Sequence, residues 1–313
     1  MRRLIIHIGR HKTGTSALQF YLAKNAQFLA ENGIIYPESG RNGKIAHHQL
    51  HHALNQLDYD LIEEIFSNIK EESLGYERTI ISSEGFQNLK VLSPLTSLST
   101  HYDETVVICY LRETLSYLVS SYKQKVQAQD FHITLAEYIS KTKLRYHEMV
   151  DRWTLLSDRM IHRLYESERL IGRNIITDFF DAVLDIQNPP KTEIQRNPSI
   201  SGNLLLYKLL RNKLQLSVPK DYLRLQKIAM SMPSNQKEVR LDEKMQRDYR
   251  KGNKNNEYLE SLFGPIAYKD YSSNQQWKVD DDVIQDFKLY NEYFDNKLPL
   301  EGIEELAKPY LKD

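Results

Sequence analysis

Eight consecutive residues near the start of the chain, Gly9-Arg10-His11-Lys12-Thr13-Gly14-Thr15-Ser16, combine the groups that an anion site needs. Gly9 and Gly14 permit a tight turn and a close approach of backbone to ligand. Thr13, Thr15 and Ser16 contribute hydroxyl donors, Lys12 contributes a full positive charge, and Arg10 and His11 add to it. A strand entering this segment and a helix leaving it would add more. The first N–H groups of a helix have no intrahelical partner, and its dipole places partial positive charge beside them. The chemistry indicated is the holding of a phosphate-like group.

Two further clusters bear on chemistry. The run HHQLHH supplies histidines 47, 48, 51 and 52, two i,i+4 pairs that would face one metal if the segment were helical. No glutamate joins them in an H-E-x-x-H arrangement, and no metal is expected. Lining a loop or an acceptor pocket is the simpler role for these side chains. Cys109 is the only cysteine, which excludes an internal disulfide and a multi-cysteine metal site; inside an apolar run it reads as core.

The elements that must position these groups follow from hydrophobic patterning. RLIIHIG, GIIYP, RTIISSE (78–84), TVVICYLRE (105–113) and MIHRLYE (160–166) read as short strands rich in β-branched residues. A helix from Thr15 carries Ala17, Leu18, Tyr21, Leu22, Phe28 and Leu29 on one face until Asn32-Gly33. Further helices are expected over 114–129 and from about 168 to 184. Alternating strands and helices predict an α/β fold with a central parallel sheet flanked by helices. The expectation is a single domain over 1–313, with an α/β nucleotide-binding core over 1–190. Residues 191–313 would form a largely helical extension or cap.

Composition narrows the function classes. Of 313 residues, 41% are hydrophobic and 27% charged, enough for a sizeable core. The 42 basic and 42 acidic residues balance, which argues against a general nucleic-acid or membrane-surface binder. No apolar stretch approaches the roughly 20 residues of a membrane helix, and no signal-peptide pattern precedes the first strand. A cytoplasmic protein with no membrane span is expected.

A nucleotide loop of the Walker type reads G-x-x-x-x-G-K-[ST], with its lysine after the second glycine. Here Lys12 precedes Gly14. Gly9-x-x-Lys12-Thr13-Gly14-Thr15-Ser16 resembles instead the 5′-phosphosulfate loop of sulfotransferases that use 3′-phosphoadenosine 5′-phosphosulfate, PAPS. A second segment, YLRETLSYLVSSY (110–122), resembles that family's 3′-phosphate site: a strand-end arginine, a serine eight positions later, then a tyrosine. These are Arg112, Ser120 and Tyr122. An arginine fork and a serine hydroxyl suit a terminal phosphate. Eight residues span about 12 Å of helix, so Ser120 would lie two turns in. Weaker likenesses are the Tyr-Glu of RLYESERL, the RNPSIS element (196–201) and the YRKG of 249–252.

The resemblance implies a P-loop NTPase-like sulfotransferase fold and transfer of a sulfuryl group from PAPS to a hydroxyl or amine of an acceptor, a glycan among the candidates. Adenosine 3′,5′-bisphosphate would be the product. Lys12 would contact the oxygen bridging phosphate and sulfate, and no metal is implied. Gly9, Arg10, Lys12, Thr13, Gly14, Thr15, Ser16, Arg112 and Ser120 would hold the donor. An acceptor hydroxyl must lose a proton as it attacks sulfur, and Glu84 at a strand end is the expected base, with His48 its rival. A P-loop nucleotide or small-molecule kinase and a non-catalytic nucleotide-binding module remain the alternatives; oligomeric state is left open.

Overall fold

Five runs dominated by Ile, Val and Leu become strands in the computed structural model, which describes residues 1–192, 199–232, 235, 237–274 and 277–311. They are β1 (Arg3–His7), β2 (Ile34–Ile35), β3 (Arg78–Ser82), β4 (Glu104–Leu111) and β5 (Arg159–Leu164). All pair in parallel, in the order β2-β3-β1-β4-β5. The protein is thus α/β, with a five-stranded parallel sheet flanked by helices. β1 is central: His7 is in register with Ser82 of β3 and Ile108 of β4. The segments leaving β1, β3 and β4 therefore emerge at one edge of the sheet, where ligands of parallel sheets usually bind.

The helices are α1 (Thr15–Lys24), α2 (Ala26–Glu31), α3 (His48–Gln56), α4 (Tyr59–Glu72), α5 (Thr96–Ser99), α6 (Thr114–Ala128), α7 (Leu135–Lys141) and α8 (Tyr146–Thr154). After β5 come α9 (Ile175–Leu184), α10 (Gly202–Lys213), α11 (Asp221–Ser231), α12 (Glu243–Arg250), α13 (Lys254–Phe263), α14 (Asp281–Asn291) and α15 (Ile303–Ala307). Two expected helices are shorter than their periodicity suggests. The first breaks at Asn25 (φ −109°, ψ 36°), whose side-chain amide donates to the Tyr21 carbonyl. The helix expected from 168 starts only at Ile175. Gly172 and Arg173 are left-handed (φ 61° and 53°), and the Asn174 side chain caps the Ile176 N–H.

The chain divides into two units. The first comprises Met1–Arg112, Arg145–Gln195 and Tyr258–Ile266 and contains the whole sheet. On one face Ile5, Ile80, Val106, Ile108 and Tyr110 pack with Leu18, Tyr21 and Leu22 of α1 and with Phe179, Phe180 and Val183 of α9. On the other face Leu4, Ile6, Ile81, Val107, Cys109 and Leu111 are equally buried, and α8 packs on β4 and β5. Each such side chain contributes about 1.5–3 kcal/mol by leaving water, and coverage of both faces is what lets a parallel sheet read as continuous apolar runs.

The second unit comprises Glu113–Leu144, Arg196–Glu257 and Ala267–Asp313. Its centre is α10, in which every residue from Gly202 to Asn212 is buried. Several buried polar groups there find partners within the unit. Arg211 donates to Asp221 and to the Leu216 carbonyl, and the Asn212 amide donates to the carbonyls of Val126, Gln129 and Phe131. Residues 113–144, which directly follow β4, belong to this helical unit, and 258–266 return to the sheet unit.

In the first unit Asp178 is fully buried and accepts from Tyr110 Oη (2.8 Å), Arg163 Nε (2.9 Å) and Nη2, and the Ile171 N–H (3.0 Å). It ties the start of α9 to β4 and β5. Asp178→Ala would strand the tyrosine hydroxyl and the arginine. We expect a loss of about 3 kcal/mol, read as a lower urea midpoint.

Candidate active site

The segment after β1 turns through three left-handed residues: Gly9 (φ 33°), Lys12 (φ 66°) and Gly14 (φ 74°). Gly9 is required by space as well as conformation. A Cβ there would lie 2.7 Å from Thr15 Cγ2 and 3.4 Å from the Glu84 Cα. Gly14 stands at the N-cap of α1 without a side-chain cap, no acidic residue follows in the first turn, and a Cβ would press on Tyr165 and Ile175. Left-handed backbone at a lysine costs of the order of 1 kcal/mol or more and persists only where its surroundings hold it.

Those surroundings are specific. Arg112, one residue past β4, donates from Nη1 to the Lys12 carbonyl (3.0 Å). Tyr146 donates its hydroxyl to the Arg112 carbonyl (2.8 Å), and the Arg10 guanidinium stacks 4.3 Å from the Tyr146 ring centroid. Thr13 is buried and donates Oγ1 to the Arg10 carbonyl (2.7 Å). The hydroxyl of Thr13 and the guanidinium of Arg10, both expected as anion donors, thus brace the loop from inside. Thr15 is buried, Lys12 half-buried and Ser16 exposed.

Glu84 lies beside this loop. β3 ends at Ser82, two residues earlier than expected, because the Ser83 side chain accepts from the Gly85 N–H and starts a 3-10 turn over Glu84–Asn88. Glu84 Oε2 accepts from Gln19 Nε2 (3.0 Å), and Oε1 is 3.8 Å from His48 Nε2. Nδ1 of His48 hydrogen-bonds the Ser83 hydroxyl at 3.1 Å. Burial pushes the Glu84 carboxyl up, but the Gln19 hydrogen bond, its own backbone N–H, and nearby His48 and His11 outweigh that, so it sits below the usual value. His11 and His51 are both lowered, first by burial and then by neighbouring positive groups, with Glu84 opposing.

The four histidines of HHQLHH do not share one face. His47 precedes α3 and turns inward, where it accepts from the Ser82 N–H (3.2 Å) and meets the Tyr36 ring edge-on. His51 seats against Gly85, where a Cβ would come within 2.5 Å of the imidazole. Among the described residues no group of three or more His, Cys, Asp or Glu is arranged to hold a metal.

The first unit therefore brings together the loop, Glu84, His48 and Arg112. Ser120 lies on α6 of the second unit and is half-buried; Tyr122 on the same helix is core, donating to the Ile133 carbonyl. Arg250 of YRKG, also in the second unit, lies 3.9 Å from Glu113, whose carboxylate caps the start of α6. Of RNPSIS, residues 196–198 fall outside the described residues. Sequence reading missed Gln19, Ser82, His7 and Tyr146. The available signal was Gln19 itself, a polar side chain at an inward position of an otherwise apolar helix face.

No family model matches the chain. It is similar to an uncharacterized protein of Archaeoglobus fulgidus, 29% identical over 153 residues, which is 45% of this chain and 40% of that protein. The chain thus matches less than half the length of that relative. No helix among the described residues is long and apolar enough to cross a membrane.

Burial lowers His7 to about 4 and His47 to about 3, from 6.5. Both are neutral in the fold, whereas the unfolded chain protonates them below pH 6.5. Their contribution to stability is complete above pH 6.5 and is lost as pH falls toward 4 and then 3, on the order of 3 kcal/mol for His7. The urea midpoint should fall over that window. His7→Gln should flatten the upper part of the slope.

Proposed function

We propose that the protein is a PAPS-dependent sulfotransferase, acting on an acceptor hydroxyl, with a glycan as the favoured acceptor class and the cytoplasm as its location. The observation that carries this reading is the loop after β1. Lys12 is held left-handed two residues before Gly14, the N-cap of α1 that carries no side-chain cap, so in sequence its charge precedes the first N–H groups of that helix rather than following them. A leaving group whose charge develops on the oxygen between phosphate and sulfate is served by a cation in that place. The strand order β2-β3-β1-β4-β5, with the loop on central β1, is consistent with it.

In this reading the N–H groups opening α1 and the Lys12 ammonium bind the 5′ end of the donor, with Thr15 and Ser16 beside them. The acceptor oxygen attacks sulfur and the bond from sulfur to the bridging oxygen breaks. Glu84 takes the acceptor proton, and Lys12 stabilises the bisphosphate oxygen left behind. The products are a sulfate ester and adenosine 3′,5′-bisphosphate. Arg112 serves the 3′-phosphate with donors beyond the one on Lys12, since a guanidinium carries five. His48, near the free oxygen of Glu84, is the rival base and an orienting partner for the acceptor.

Calorimetry tests the donor. Adenosine 3′,5′-bisphosphate should bind, and binding should survive EDTA, because no step of this reading uses a metal. Lys12→Ala should lower turnover far more than bisphosphate affinity, since the lysine acts on charge that grows in the transition state. Tighter binding of Mg-ATP than of the bisphosphate would overturn the assignment in favour of a kinase.

A second measurement tests the base. Glu84→Gln keeps size and polarity but removes the basic oxygen, and should cost about 10²–10⁴ in rate with bisphosphate affinity nearly unchanged. Near-normal turnover there, with collapse in His48→Ala, would move the role to the histidine.

A further inference from the structure

The carboxylate of Glu84 is held from below by a side chain that no motif marks. Gln19 lies on α1, one turn past Thr15, and is 1% exposed. Its amide nitrogen has two protons and two acceptors: Glu84 Oε2 at 3.0 Å and Ser82 Oγ at 3.2 Å. Ser82 Oγ is in turn 2.8 Å from His7 Nδ1. The His7 ring is wholly buried, with the rings of Tyr110 and Phe179 edge-on at 6.0 and 5.8 Å. The chain His7–Ser82–Gln19–Glu84 thus runs from the core of the sheet to the site, and its inner end cannot shift without repacking the core.

We propose that Gln19 is a positioning residue, a buried amide clamp that fixes Glu84 Oε2 and turns Oε1 toward His48. The catalytic consequence rests on Glu84 being the base; the clamp itself does not. Two features give it direction. Both protons of the amide are used, so nitrogen rather than oxygen faces the carboxylate. An amide N–H offered to a carboxyl oxygen favours the ionised form, the form a base must have before it accepts a proton. With one oxygen tied down, the carboxylate also loses the rotational freedom that would otherwise be spent on each encounter with substrate. The charged and titratable groups around Glu84 are His48 and His51 on α3, His11 and Lys12 with Arg10 on the loop, His7 on β1, and Tyr36 just past β2, whose hydroxyl burial keeps neutral. All are cationic or neutral, so the clamp and the field act in the same direction, toward an ionised Glu84.

The test reads Glu84 directly. Carbon-13 NMR of protein labelled at glutamate carboxyls, with the Glu84 signal assigned by its loss in Glu84→Gln, gives the titration midpoint without substrate. Gln19→Met keeps length and volume but has no donor; the Glu84 midpoint should move up. The acid limb of kcat should move up with it, kcat at the acid end should fall about tenfold or more, and bisphosphate affinity should hold. Ser82→Ala, which removes only the brace, should move the midpoint part of the way and covers the case in which Gln19→Met fails to fold. An unmoved midpoint in a folded variant of either kind overturns the clamp. If the midpoint moves but Glu84→Gln turns over normally, the clamp stands and only the assignment of the base falls. If Glu84→Gln is inactive and the midpoint is unmoved, the base stands and the clamp falls.

Discussion

There is no room for a side chain at position 9. The turn leaving β1 passes between the first residue of α1 and the backbone of Glu84: a Cβ would clash with Thr15 Cγ2 at 2.7 Å and would touch the Glu84 Cα at 3.4 Å. That contact sets how near the first N–H groups of α1 lie to the Glu84 backbone. It also demands that β1 and β3 be adjacent, since Glu84 follows β3 by two residues and His7 is in register with Ser82. The sheet order is thus the condition for the site: only with β3 beside β1 does a residue some seventy positions away reach the loop.

Around this contact the protein manages charge by position rather than by total. The chain is formally neutral. Yet Arg10, Lys12 and Arg112 gather in one unit, in the segments that leave β1 and β4, with Glu84 in the segment that leaves β3. Burial keeps His7 and His47 uncharged, so they act as rigid dipoles rather than as additional cations. Arg112 has a structural task, because its bond to the Lys12 carbonyl helps maintain a backbone conformation that a lysine does not adopt freely.

What could be read in the sequence was what depends on neighbours along the chain. The strands announced themselves by β-branched apolar runs, and the loop by two glycines and a lysine at a strand-to-helix junction. The helix starting at Thr114 was legible for the same reason. What depends on distant residues was not. The ring of His47 is drawn out of the helical pattern by the N–H of Ser82, thirty-five positions away. Gln19 looks like a stray polar residue until Ser82 and Glu84 are folded against it. The assignment of 113–144 to the helical unit rests on packing against residues beyond 200, which periodicity does not report. The break at Asn25 and the late start of α9 turn on single left-handed or capping residues, where an apolar pattern continues regardless.

The position of Cys109 has a practical meaning. It sits in the middle of β4, fully buried, and desolvation pushes its thiol up to about 12. Since the thiolate is the reactive form, this sulfur is silent toward maleimides and alkylating reagents at neutral pH while the fold holds. The natural chain is therefore already a clean background for labelling. A cysteine introduced at an exposed site would be the sole point of attachment for a fluorophore or spin probe, and release of the Cys109 thiol would count unfolded molecules without any engineering.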